Sequence, residues 1–167
     1  RDPDGAAIRC TGAECPAQLL RNLIHFASRD AMDIDGVGPA VMRQLIESGL
    51  VSNPADLYDL RAEQLADLER MGTKSAQNAV DAIAKSKEND LWRLIFALGI
   101  RQVGAKAAKI LAAHFGSMEA LRRAAAEELT QIDDVGAVTA DYIIRWMSSD
   151  QAVDLLERLK AAGVNME

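Results

Sequence analysis

Aromatic residues are scarce, at 4% of 167 residues, while 49% are hydrophobic. Any core must therefore be aliphatic, built from Leu, Ile, Ala and Val rather than from stacked rings. No stretch of about 18 apolar residues occurs, which excludes a membrane-spanning helix, and no signal-peptide pattern opens the chain. Proline is limited to 4 residues, and the Ala- and Leu-rich remainder favours helices. Cysteine is limited to 2 and histidine to 2, so a complete four-ligand metal site is hard to assemble. Positive charge is also in short supply: 19 Lys and Arg face 25 Asp and Glu, for a net charge of −6. That balance argues against a uniformly basic face for nucleic acid.

Catalytic constellations are missing as well. There is no Ser/His/Asp arrangement, no phosphate loop ending in Gly-Lys-Ser/Thr, and no dinucleotide fingerprint at a strand–helix turn. Gly36-Val37-Gly38 is too short and too helical in its surroundings to serve as one. His25 and His114 have no evident partners, and the carboxylates are scattered along polar helix faces. No catalytic residue is assigned, and the chain alone is expected to turn nothing over.

What is present is a short phrase in four copies: Asp35-Gly36-Val37-Gly38, Arg70-Met71-Gly72, Gln102-Val103-Gly104 and Asp134-Val135-Gly136. An aliphatic residue precedes a glycine each time, and a helix-patterned run follows. The steps between the final glycines are 34, 32 and 32 residues, a near-constant period that signals stacked supersecondary units. A larger duplication contains them. Leu57, Leu65, Leu68, Met71 and Gly72 recur 64 positions later as Leu121, Leu129, Ile132, Val135 and Gly136. Ile34, Val37, Gly38 and Leu45 recur 66 positions later as Ile100, Val103, Gly104 and Leu111. The expectation is an all-α chain of two tandem pairs, copies one with two and three with four.

Each unit reads as helix, tight turn, helix. Glycine tolerates positive φ and close approach, so it is expected at the turn itself, with the aliphatic residue plugging the core. Past the glycine, the unsatisfied N–H groups of the next helix point outward, and such a helix start attracts phosphate. An ordinary connection that merely needs a glycine would explain one copy; four in register, with Lys74 and Lys106 each two residues past their glycine, favour phosphate binding. The pattern resembles the helix-hairpin-helix motif, and the resemblance implies a grip on the DNA backbone that reads no sequence.

Local charge matters more than the total, because screening acts over about 8 to 10 Å. Residues 90–123 carry +4, whereas residues 124–167 carry −6. Copies three and two are therefore expected to contact DNA, copy one through its backbone, and copy four least. The candidate DNA-binding residues are Gly36, Gly38, Arg70, Gly72, Lys74, Arg101, Gly104, Lys106 and Gly136. Pro39 pre-sets the helical φ in copy one but removes one N–H.

Cys10 and Cys15 form a C-x4-C pair, at most half of a tetrahedral zinc site. Pro16 to about Phe26 should be a helix, with His25 packed rather than ligating. Further helices are expected over 39–48, 54–57, 61–69, 73–85, 91–98, 105–114, 118–125, 127–131, 137–147 and 151–162. Trp92 and Phe96 fall at helical spacing and are expected in the core.

Several phrases closely resemble bacterial NAD-dependent DNA ligases: Ala31-Met32-Asp33-Ile34-Asp35-Gly36-Val37-Gly38, Leu68 to Asn78, and Ala97-Leu98-Gly99-Ile100-Arg101-Gln102-Val103-Gly104. The resemblance covers essentially the whole chain. It implies a fragment: residues 1–27 as the second half of a four-cysteine zinc finger with its connecting helix, 28–89 as the first helix-hairpin-helix pair, and 90–167 as the second. The opening Arg1-Asp2-Pro3-Asp4, without Met, suits that expectation. The resemblance further implies a bacterial cytoplasmic enzyme that uses NAD, Mg²⁺ and Zn²⁺ to seal nicked double-stranded DNA in replication and repair, with no cofactor required by this piece. Cys10 and Cys15 would be zinc ligands whose partners lie elsewhere. Two other readings stay open: a helix-hairpin-helix module of another repair or recombination machine, and a helical protein-interaction scaffold.

Overall fold

Leu19, Leu23 and Phe26 follow one another at helical spacing, and all three are buried. They form the inner stripe of α1 (Pro16–Ala27). In the computed structural model, which describes residues 16–69 and 71–167, every regular element is helical. After α1 come α2 (Pro39–Glu47), a 3₁₀ helix (Pro54–Asp59), α3 (Ala62–Ala66), α4 (Thr73–Ser86) and α5 (Leu91–Ala97). The rest are α6 (Ala105–Phe115), α7 (Met118–Arg122), α8 (Ala126–Thr130), α9 (Ala137–Ser148) and α10 (Asp150–Ala161).

Four hairpins organise these helices: α1 packs on α2, α3 on α4, α5 on α6 and α8 on α9. The internal duplication is visible in burial. Leu45 and Leu111 are both fully buried, as are Leu65 and Leu129, and Ile34, Ile100, Val37 and Val103 are buried in matching places. Burying one such leucine contributes about 1.5–3 kcal/mol, so the repeated aliphatic positions fix both the hairpins and their register.

The junction between the halves is packed, not loose. α1 packs on α5, α10 packs on the 3₁₀ helix, and one continuous core runs from Leu19 to Val164. Asn89 Nδ2 donates to the Met32 carbonyl at 2.7 Å, while Asn165 Nδ2 donates to the Asn89 carbonyl at 3.0 Å. Asn165 N–H also bonds the Lys87 carbonyl at 2.9 Å. Within the first half the Ser86 hydroxyl donates to the Ile83 carbonyl at 2.6 Å and pairs with the Tyr58 hydroxyl at 2.8 Å, which satisfies a buried polar residue.

Two helices are shorter than their pattern predicts. α3 leaves α geometry after Ala66, and the Leu68 N–H bonds the Leu65 carbonyl instead, at 3.0 Å. α7 stops at Arg122 because the Arg123 N–H is shared between the Glu119 and Ala120 carbonyls and Ala124 closes on Leu121. In both places three-residue bonds tighten the chain so that it can turn back into the core. The histidines do have partners. His25 Nε2 lies 2.7 Å from the Phe96 carbonyl, with the two rings 4.7 Å apart, and His114 Nε2 lies 3.5 Å from Glu128 Oε2. Trp92 and Phe96 are only half-buried at the core's edge.

Candidate nucleic-acid interface

How a helix begins depends on what its N-cap offers. Ser117 and Ser149 accept hydrogen bonds from the amides of Ala120 and Ala152, at 3.1 and 3.2 Å, and so satisfy the starts of α7 and α10. Asn53 does the same for the 3₁₀ helix, accepting from Ala55 and Asp56, and the Asp56 carboxylate accepts the Asn53 amide in return. The four helices that follow the repeated phrase lack such a bond, as do α5 after Asp90 and α8 after Ala125. α2, α4, α6 and α9 have Gly38, Gly72, Gly104 and Gly136 as N-caps, with no side chain to offer and no cap hydrogen bond.

These glycines share one conformation, with φ between −98° and −78° and extended ψ. Each carbonyl takes the first helical bond, from Met42, Ala76, Ala108 and Ala140, at 2.9 Å in every copy. The amides in between donate no bond to the described residues: Ala40 and Val41, Thr73 to Ser75, Ala105 to Ala107, and Ala137 to Thr139. Pro39 at the first position of α2 has none to give.

The expected positive φ is not at these glycines. It sits two residues earlier, at Gly36 (93°), Gln102 (74°) and Asp134 (69°), where the chain reverses before entering the helix. A Cβ added at Gly38, Gly72, Gly104 or Gly136 would meet nothing within 4 Å. Neither backbone torsion nor internal packing therefore demands glycine there; what glycine leaves out is a side chain that could cap the first amides. Gly36 is different. A Cβ there would come within 3.3 Å of Ala79 on α4, so the first turn lies against the helix that starts at the second.

Turns one and two are tied further by Gln44, whose side chain accepts from the Glu69 amide at 2.8 Å and donates to the Glu69 carbonyl at 3.2 Å. Turns three and four are tied by Lys106, whose Nζ lies 3.4 Å from Asp134 Oδ2. The plugging residues are inward, with Val37, Val103 and Val135 buried and Met71 half-buried, while the cap glycines face solvent.

Lys74 and Lys106 are exposed in the first turns of α4 and α6. Arg101 is also exposed, with its guanidinium carbon 5.5 Å from the centroid of the Tyr142 ring on α9. Arg70 lies outside the described residues, and so do Cys10 and Cys15. Among the described residues no group of three or more His, Cys, Asp and Glu side chains is placed to hold a metal. One residue escaped the sequence reading. Val138 takes the place in the fourth turn that Lys74 and Lys106 take in theirs, and it is 64% exposed.

Comparison with known proteins agrees with the repeats. Residues 28–85 match the family model described as a SAM-like helix-hairpin-helix tandem, and residues 93–156 match the model of the helix-hairpin-helix motif. The DNA ligase of Heliobacterium modesticaldum is 56% identical over 162 residues, which is 97% of this chain and 24% of that protein. The DNA ligase of Thermoanaerobacter sp. strain X514 is 52% identical over 164 residues, 98% of this chain and 25% of its own. That of Bacillus subtilis strain 168 is 52% identical over 159 residues, 95% of this chain and 24% of its own.

Over nearly its whole length this chain is similar to one segment of these DNA ligases. It spans about a quarter of the length of the DNA ligases it matches, and that quarter is where both helix-hairpin-helix matches fall.

No described helix is long and apolar enough to cross a membrane.

Proposed function

We propose that this chain is the duplex-gripping module of a bacterial, cytoplasmic, NAD-dependent DNA ligase, holding nicked double-stranded DNA through its backbone on the minor-groove side. The observation that carries the reading is the set of four glycine-started helices at a repeated spacing, each with first-turn amides that no described side chain caps. Helix N-termini of this kind hold phosphate through N–H donors and the helix dipole. Phosphate contacts position a protein without reading bases, which suits an enzyme that must accept any nick in replication or repair.

Roles divide by turn. Amides at and just after Gly38, Gly72 and Gly104 hold phosphates, Lys74 and Lys106 neutralise them, and Arg70 and Arg101 flank. The fourth turn, at Gly136, contributes least because its surroundings are acidic. Pairing the turns on one module sets two contacts side by side from each half. Nucleotidyl transfer from NAD with Mg²⁺ belongs to other parts of the parent enzyme, so the module alone is inactive. Cys10 and Cys15 suit zinc by donor chemistry and supply two of its four thiolates.

Binding of a labelled nicked duplex tests the reading. The logarithm of affinity should fall steeply and linearly with the logarithm of salt concentration. Lys74→Ala/Lys106→Ala should flatten that slope, by about one unit or less per lysine. No change in the double variant would remove these residues from the interface.

A further inference from the structure

Trp92, on α5, carries two cations against its ring. The Arg93 guanidinium carbon lies 4.9 Å from the ring centroid, and Lys109 Nζ lies 4.6 Å from it. The two cations are used differently. Arg93 Nη1 donates to the carbonyls of Arg29 and Ala31, at 3.0 Å each, and so pins the segment that runs into the first turn. Lys109 is exposed and has no ion pair among the described residues.

Lys109 lies one helical turn beyond Lys106 on α6. The inner face of that helix is Ala107, Ala108 and Leu111, which leaves the two lysines together on the outer stripe. A cation held against a ring face keeps its charge and the N–H donors that point away from the ring for other partners. Trp92 thus holds a positive charge in place on the outer stripe of α6, while Arg93 on the same ring reaches the lead into the first turn. That turn has Ala40 where turns two and three have lysine, and Pro39 deprives it of an amide.

We infer that Lys109, seated on Trp92, is a further phosphate-contacting residue of the third hairpin, with Trp92 its positioning residue. The inference rests on the duplex-gripping reading above. Its rival is purely structural: the lysine stem shields the half-buried indole, and the charge is incidental.

Lys109→Met separates the two, because it keeps the apolar stem over the ring but removes the charge, and Lys109→Arg restores the charge. The whole chain is titrated with a labelled nicked duplex over a range of salt. Lys109→Met should bind several-fold more weakly at low salt, with a slope flatter by about one unit, and Lys109→Arg should recover the wild-type slope. Duplex-induced change in tryptophan emission should also shrink in Lys109→Met. Wild-type affinity and slope in Lys109→Met, alongside a flattened slope in Lys106→Ala, would overturn this inference and leave the duplex reading intact. A wild-type chain without salt-dependent binding would overturn both.

Discussion

Lys106 reaches from the third turn to the carboxylate of Asp134 in the fourth, with Nζ 3.4 Å from Oδ2. The lysine side chain is 80% exposed and the aspartate 46%, so water screens the pair and it adds little to folding. Its consequence is for binding: the acid occupies the cation that a phosphate would use. Asp134→Asn should therefore strengthen duplex binding at low salt while leaving the melting temperature within a degree or two of wild type. Isothermal titration and a thermal melt of the same variant check both halves of that expectation.

Val138 marks the turn that departs from the lysine pattern. Substituting Val138→Lys places an ammonium at the position of Lys74 and Lys106, on a surface where the valine is already 64% exposed. Nothing need repack. Affinity for duplex should rise and the salt slope should steepen by about one unit. An unchanged slope would mean that the fourth turn does not approach the backbone.

Arg158 on α10 binds Asp56 in the 3₁₀ helix and lies 3.4 Å from Asp59, locking the end of the second half to the first. Burial alone would favour the neutral form of Asp56. The Ser52 amide and hydroxyl, together with the Arg158 guanidinium, outweigh it and hold the carboxyl below its ordinary range. The folded value is thus lower than the unfolded one, near 3.9. The lock's contribution is complete above the unfolded value and is lost as pH falls through the folded one. Arg158→Met should cost about 1 kcal/mol at pH 7, discounted for a guanidinium that is partly in water. Denaturant titrations at pH 7 and at pH 3 should show the gap to wild type narrowing in acid.

The repeats made the fold legible because aliphatic positions recur at fixed spacing: Leu65 with Leu129 and Leu45 with Leu111 point inward in both halves. The cap glycines were legible as positions but not as geometry. Positive φ belongs to the reversal at Gly36, Gln102 and Asp134, and the glycine after it is an extended N-cap. A one-dimensional pattern gives no means of separating those two roles. Contacts across the seam were likewise hidden. Asn89 and Asn165 look like ordinary polar residues until the fold brings them together over 76 positions. Lys109 and Trp92 lie 17 positions apart and meet only because α5 and α6 form a hairpin.

The central claim is that free amides at the glycine caps bind the duplex. Gly72→Ser/Gly104→Ser tests it directly, because a serine hydroxyl can cap those amides, as Ser117 and Ser149 do elsewhere in the chain. An added Cβ meets nothing within 4 Å at either position, and the cap torsions are ordinary for serine. Stability should hold or rise by a few tenths of a kcal/mol per site. Affinity for nicked duplex, measured at one fixed salt concentration, should fall at least tenfold although no charge has changed. A double variant that is equally stable and binds as tightly as wild type would contradict the account.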